Sequence, residues 1–331
     1  VDSKLKVVVL TGGIGSERQI SIQSGECVSE ALKEAGFNVV KADVRPDNLD
    51  ILEDSSVDVF FPALHGVFGE DGQLQQILHN KSLVYTGSGP TASKLAFDKM
   101  ASKKLFAKAG VATPAAIEFN AQTDIEQLES RLQYLADEYV VKPIRQGSSV
   151  GVRIIDEKQE AIGAAQETLD QFGDCMIEKF IPGKEITVSI LEDDALPIVE
   201  IISQTGFYDY QAKYNDEQTE YLFDTIRDPA VTAQIEQAAM DCFYVLGCRH
   251  FARVDFMLSD KEIAYALELN TIPGFTTHSL LPKAAAKAGF TMGELCSKIV
   301  MAAYSPLLKS KVPKVTLTCH PEAKPMDLAN E

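Results

Sequence analysis

The stretch YALELNTIPGFTTHSL, from Tyr265 to Leu280, decides how this chain is read. It opens as an apolar strand, presents Glu268 and Asn270 two residues apart, and turns at Pro273-Gly274. Residues i and i+2 of a strand share a face, so a carboxylate and a carboxamide project together. Such a pair suits a hard cation, and it equally suits a strand end running into solvent. Just upstream, FARVDFML (251–258) and IAYALELN (263–270) flank SDKE (259–262) and predict a β-hairpin. A four-residue connection sets odd residues of the first strand on the same face as even residues of the second. Arg253 and Asp255 then join Glu268 and Asn270, while Ile263, Tyr265, Leu267 and Leu269 occupy the opposite, core face. Three oxygen-bearing side chains beside a guanidinium match a magnesium site completed by phosphates and waters. A solvated hairpin alternates in the same way, so the residues alone leave both readings open.

Working outward, the N-terminal part alternates strands and helices. KVVVLTGG, FNVVKADV, VDVFFPAL and LVYTG read as four strands of a parallel α/β sheet, with SIQSGECVSEALKEAG and GQLQQILHN as helices. TASKLAFDKMASKKLFAKAG reads as one long amphipathic helix. The middle of the chain lacks the βα alternation. YVVKPIRQGSSVGVRIID and CMIEKFIPGKEITVSILE each read as two strands around a turn, giving an α+β unit. QTGFYDYQAKYNDEQTEYLF reads as a long polar-aromatic loop, a kind usually functional in a compact domain. The boundaries expected from this pass are 1–95 for an N-terminal α/β domain, 96–181 for a central domain, 182–304 for a C-terminal domain and 305–331 for an extension without an assigned role.

Composition bounds the function. The 331 residues carry a net charge of −17, which argues against a nucleic-acid groove or an anionic membrane surface as partner. No apolar run approaches a membrane span, and VDSKLKVVVL reads as a polar lead into a strand. The six cysteines form no CxxC pair, which predicts reduced thiols and a cytoplasmic location.

Several further residues sit where ligands bind. Lys142 ends a Val-rich strand and Gly147-Ser148-Ser149 follow, a loop whose N–H groups can cradle phosphate oxygens. It is not a Walker A loop, and by itself a hairpin turn is the plainer reading. TGGIGSERQIS follows the first strand, but Arg18 stands where a dinucleotide fingerprint needs its last glycine, which disfavours a nicotinamide cofactor. Glu17, opening a helix, can bind a ligand ammonium or simply face the helix dipole. His65 lies at a strand end in LHGVFGEDG, where α/β sheets bind ligands. Lys99 alone reads as a solvated helical lysine. Tyr208, Lys213 and Tyr214 lie in the long loop, a candidate lid that excludes water on closing.

The ordered set GGIGSERQIS, HGVFGEDG, KPIRQGSSVGV, IEKFIPGKEITV, YDYQAKY, RVDF and ELNTIPGFTTHSLLP resembles the D-alanine–D-alanine ligases of the ATP-grasp superfamily, over residues 7 to about 304. The resemblance implies an α/β fold of the ATP-grasp type, with a Rossmann-like N-terminal domain and two α+β domains that sandwich ATP. It implies that Asp255, Glu268 and Asn270 hold two Mg²⁺ ions, with Mn²⁺ an alternative and a monovalent cation such as K⁺ a further ligand. It assigns Lys99, Lys142 and Lys213 to phosphates, and Glu178, Lys179, Ile181 and Glu185 to adenine and ribose. Glu17, Ser148 and Tyr208 form a network around the first D-alanine. Arg253 and the Gly274 N–H stabilise an oxyanion, and Ser279 and the Leu280 N–H take the second carboxylate with His65 nearby. Tyr214 resembles the dipeptide-forming branch, with a D-alanyl-D-lactate or other D-Ala-X ligase as the alternative. The family also implies a homodimer. Gly15 departs from the serine of many relatives, which puts one first-substrate contact in doubt.

Overall fold

The structure is a computed structural model that describes residues 5–202 and 219–310, with side chains placed to Ser305. Tyr208, Lys213 and Tyr214, and the extension past Ser310, lie outside the described residues. Strands β1 (Lys6–Gly12), β2 (Asn38–Val44) and β3 (Val59–Pro62) form a parallel sheet in the order β2-β1-β3. The central strand is apolar on both faces because both are covered, and Val7 through Leu10 are fully buried. Helix α1 (Arg18–Glu34) covers one face. The expected fourth strand is reduced to a single parallel bridge between Phe60 and Tyr85. Gly87, at φ +84°, turns the chain away, and its N–H and C=O bind His250 Nδ1 and Arg249 Nε instead of a neighbouring strand.

Helix α2 (Gln73–Asn80) follows β3. The single long helix expected next is two, α3 (Pro90–Phe97) and α4 (Lys99–Lys108). Asp98 separates them in an extended conformation, and its carboxylate caps α4 by accepting from the Ala101 N–H at 2.9 Å. The amphipathic spacing runs through the break, so only the aspartate marked it.

A second, antiparallel sheet holds β4 (Ala116–Phe119), β5 (Tyr139–Pro143), β6 (Arg153–Ile155) and β7 (Cys175–Lys179) in the order β4-β7-β5-β6. Helices α5 (Ile125–Leu132) and α6 (Lys158–Phe172) bury Tyr139, Val141 and Ile177 on one face. The period of two therefore turns Val140, Lys142 and Glu178 to the other. The third sheet runs β11 (Glu220–Phe223), β10 (Val199–Ile202), β8 (Gly183–Leu191), β12 (Phe251–Ser259), β13 (Ala264–Asn270), with β9 (Asp194–Ala195) paired to β8. The end of the long loop is thus a strand. Helix α7 (Pro229–Val245), with α3 and α4, packs on one face of this sheet over Val188, Val254 and Phe256. Helices α8 (Leu280–Lys287) and α9 (Met292–Ser310) return to the first sheet and close its core around Val7, Val9 and Phe61. Helix α9 continues past Ser305, where the extension was expected to begin.

The β12–β13 hairpin differs from its expected form in an instructive way. Next to the turn the partners are Leu258 and Ala264, so the connection has an odd length. A β-bulge then intervenes, because Phe256 pairs with Ala266 while Asp255 pairs with Glu268. Leu267 is the extra residue, and it restores the parity that the turn removed. Arg253 stands opposite Asn270 and Asp255 opposite Glu268, so the four share a face as expected, but through the bulge. The expected core face is corrected in consequence. Ala266 and Leu269 are buried in the core, whereas Ile263 is 42% exposed and Leu267 faces a cavity.

Candidate active site

The bare face of the second sheet and the hairpin face of the third enclose a cavity of about 430 Å³. Val140, Ile154, Phe180, Ile181, Met257 and Leu267 supply apolar walls, a slot that suits a flat aromatic base. Lys142, Glu178, Lys179 and Glu185 also line it, and Lys99, Asp255 and Glu268 mark the opposite end. All six described residues expected at the nucleotide therefore meet in one space.

Glu178 is deeply buried between two cations. Its Oε1 accepts from Lys142 Nζ at 2.8 Å, and its Oε2 lies 2.5 Å from Lys103 Nζ. Burial by itself would raise this carboxyl, but Lys142 and Lys103 together hold it below its ordinary value. Lys103 was missed by sequence reasoning, because a lysine on an amphipathic helix carries no mark of burial. Lys99 is likewise no solvated lysine. The break at Asp98 puts it at the start of α4, where its Nζ reaches Glu268 Oε2 at 3.0 Å and donates to the Gln146 carbonyl at 2.6 Å.

Asp255 is the hub of the hairpin face. It accepts from Arg253 Nε and Nη2, each at 2.8 Å, from Thr187 Oγ1 at 2.6 Å and from Asn270 Nδ2 at 3.1 Å. The donor set fits a hard divalent cation: two carboxylates and an amide stand together on the hairpin face, Asp255 paired with Arg253 and Glu268 with Lys99. Among the described residues, no group of three or more His, Cys, Asp or Glu side chains is placed to hold a metal.

A second chamber of about 70 Å³ adjoins the first, and Glu268 lines both. A small gap bordered by Lys99, Gly147 and Asn270 lies between them. Glu17, His65, Ser148, Arg253, Gly274, Ser279 and Leu280 all line this chamber. Glu17 precedes α1, but its carboxylate does not cap that helix. It accepts from Ser148 Oγ at 2.6 Å, across 131 residues of sequence. Ser148 and Ser149 both have left-handed backbones, φ 54° and 57°, uncommon for residues with a side chain and frequent at ligand loops. Ser279 precedes α8 without capping it, and its Oγ accepts from the Thr276 N–H. The Leu280 N–H thus opens a helix whose first turn has no side-chain partner, a ready anion site. A Cβ at Gly274 would come 2.5 Å from Ser279 Oγ, so the glycine leaves room for that hydroxyl where it stands.

His65 has both ring nitrogens engaged. Phe275 N–H donates to Ser24 Oγ, which lies 2.9 Å from His65 Nε2, while His65 Nδ1 lies 3.0 Å from the Ile272 carbonyl. Burial lowers its pKa, so the ring is neutral, with the proton on Nδ1. His65 therefore clamps the Ile272–Phe275 turn onto α1. Glu70, in the same HGVFGEDG segment, was also missed. Burial, reinforced by Glu17, pushes its carboxyl up to about 8, and one oxygen accepts from the Gly66 N–H at 2.8 Å.

An apolar-walled slot between two antiparallel sheets, opening at a shared acid onto a polar chamber, defines the ATP-grasp class of enzymes. Residues 43–88 match the family model for the D-ala D-ala ligase N-terminus, and residues 105–301 match that for its C-terminus. The D-alanine–D-alanine ligase of Syntrophotalea carbinolica is 40% identical over 298 residues, 90% of this chain and 96% of that one. The crystal structure of D-alanine–D-alanine ligase from Bacillus anthracis superposes with a TM-score of 0.80 at 35% identity, covering 92% of this chain and 99% of that one. A structure of that ligase complexed with ATP matches with TM-score 0.80 at 34% identity over the same shares. The chain belongs to the D-alanine–D-alanine ligase family.

Proposed function

We propose that this protein joins two D-alanine molecules to D-alanyl-D-alanine at the expense of ATP, through a D-alanyl phosphate. The observation that carries the reading is the sharing of Glu268 by a nucleotide-sized slot and a small polar chamber, which sets a γ-phosphate beside a carboxylate substrate. Adenine lies between Ile181 and Leu267 with Glu178, Lys179 and Glu185 at its polar edges and ribose. Lys99 and Lys142 receive the phosphates. Asp255, Glu268 and Asn270 would hold magnesium, which when bound draws charge from the phosphate oxygens.

In the chamber Glu17, fixed by Ser148, binds the ammonium of the first D-alanine. A carboxylate oxygen of that D-alanine attacks the γ-phosphorus, the bond from phosphorus to the bridging oxygen breaks, and ADP leaves. A free carboxylate is a poor electrophile, and the acyl phosphate supplies the leaving group. The second D-alanine is held by its carboxylate at Ser279 and the Leu280 N–H. Its ammonium gives up a proton to solvent, and the free amine attacks the acyl carbon. Arg253 and the Gly274 N–H face the oxyanion of the tetrahedral intermediate, which expels phosphate. His65 acts through the turn that carries Gly274. The same reading carries a homodimer and a cytoplasmic role in peptidoglycan precursor synthesis.

A coupled assay of ADP release tests this. D-alanine with Mg-ATP is expected to turn over and L-alanine is not. Turnover that requires added D-lactate would replace the reading with that of a D-alanyl-D-lactate ligase. ATP binding without product at saturating D-alanine and Mg²⁺ would remove the catalytic reading.

A further inference from the structure

Helix α4 presents two lysines four residues apart, and therefore on one face. Lys99 reaches Glu268 at the phosphate end of the nucleotide slot. Lys103, one turn on, reaches Glu178 at the base end and is itself 5% exposed. Lys103 does not line the slot, so it does not touch a nucleotide there. It has a second partner. Its Nζ donates to Thr113 Oγ1 at 2.7 Å, and Thr113 Oγ1 donates to the Ala266 carbonyl at 2.8 Å. Ala266 immediately precedes Leu267, the bulged residue, and the bulge aims Glu268. The Ala266 N–H also binds the Ala112 carbonyl at 2.8 Å, so Ala112 and Thr113 hold both backbone polar groups of Ala266.

We propose that Lys103 is a positioning residue for the nucleotide: it fixes the Glu178 carboxylate at the base end and, through Thr113 and Ala266, sets that wall against the hairpin that carries Glu268. The proposal rests on the reading of the slot as an ATP site. The chemistry favours a role over mere packing. A buried ammonium carries a desolvation cost that an apolar side chain of the same size would avoid. Burial pulls Lys103 down to about 8, although Glu178 raises it, so it stays protonated at neutral pH. Lys142 already pairs with Glu178, which makes Lys103 a surplus charge for neutrality alone. What Lys103 adds is geometry: two of its donors are directed, one to each side of the slot.

The test uses the full chain with Lys103→Met, which keeps the volume and leaves Lys142 and Glu178 as a neutral pair. Thr113→Val cuts the link to Ala266 and leaves every charge in place, and it carries the test if Lys103→Met does not fold. ADP affinity is measured by calorimetry, KM for ATP and for D-alanine by the coupled assay, and melting temperature without nucleotide. Loss of one charge-assisted contact predicts a rise of about tenfold in ADP Kd and ATP KM for Lys103→Met, and about threefold for Thr113→Val. KM for D-alanine stays within twofold in both. ADP affinity unchanged in both variants overturns the proposal. So do ATP and D-alanine KM values rising together with a lower melting temperature, which is the pattern of general loosening. Failure of the wild-type chain to bind ADP overturns the reading of the slot itself, a result distinct from the other two.

Discussion

Asp255→Asn tests the hairpin face most directly. In the structure the Asp255 carboxylate accepts from four donors, two on Arg253 and one each on Thr187 and Asn270. Asparagine keeps the shape but offers one oxygen and an NH₂ group, so at least one Arg253 N–H faces another donor. The charge that pairs the guanidinium is also gone. Breaking a buried ion pair costs about 3–5 kcal/mol. The side chains here are 13% and 11% exposed, so water recovers part of that, and about 2–3 kcal/mol remains. At roughly 2–4 °C per kcal/mol for chains of this order of size, the metal-free protein should melt about 4–12 °C lower. The same substitution removes a magnesium ligand. Half-saturating Mg²⁺ should rise about tenfold, and kcat should fall about 100-fold, as for loss of one preorganised electrostatic contact. Differential scanning fluorimetry without nucleotide reads the first effect, and a magnesium titration of ADP release reads the second. A melting temperature within 1–2 °C of wild type, roughly the error of such a scan, would refute the ion-pair argument. A lowered melting temperature with an unchanged magnesium dependence would place the ion elsewhere.

Ser148→Ala removes the 2.6 Å hydrogen bond to Glu17 and should raise KM for the first D-alanine about 5–30-fold, with KM for ATP little changed, in initial-rate kinetics. Gly66→Ala should be worse than its size suggests. Gly66 has φ +70°, and a Cβ there meets Glu17 Oε2 at 2.4 Å, so first-substrate KM should rise more than about tenfold, with about 1 kcal/mol lost in urea unfolding. Glu70 carries a pH signature. Its pKa rises from 4.5 unfolded to about 8 folded, so between those values the native state holds a proton that the unfolded state has released. Stability from this group is therefore full below pH 4.5 and lost as pH climbs toward 8. Glu70→Gln should flatten that slope in urea midpoints measured from pH 5 to pH 8; an equally steep slope in the variant would exclude Glu70 as its source.

By itself the sequence determined the strand and helix alternation, the hairpin, and the set of polar residues that share its face. These are short-range properties, written in periods of two and 3.6 and in turn residues. It also carried the ordered motifs that resemble those of the family. Only the tertiary structure decided how the parts meet. The bulge at Leu267 moved a residue expected in the core to the wall of the slot, because register depends on the partner strand and the turn together. Lys103 and Glu70 gained their character from burial among charges far away in the chain. His65 became a clamp because Ser24 and Ile272, 41 and 207 residues distant, took both its nitrogens. Local pattern records which face a side chain takes; its partners, and hence its charge and its work, are settled when distant segments pack and water leaves.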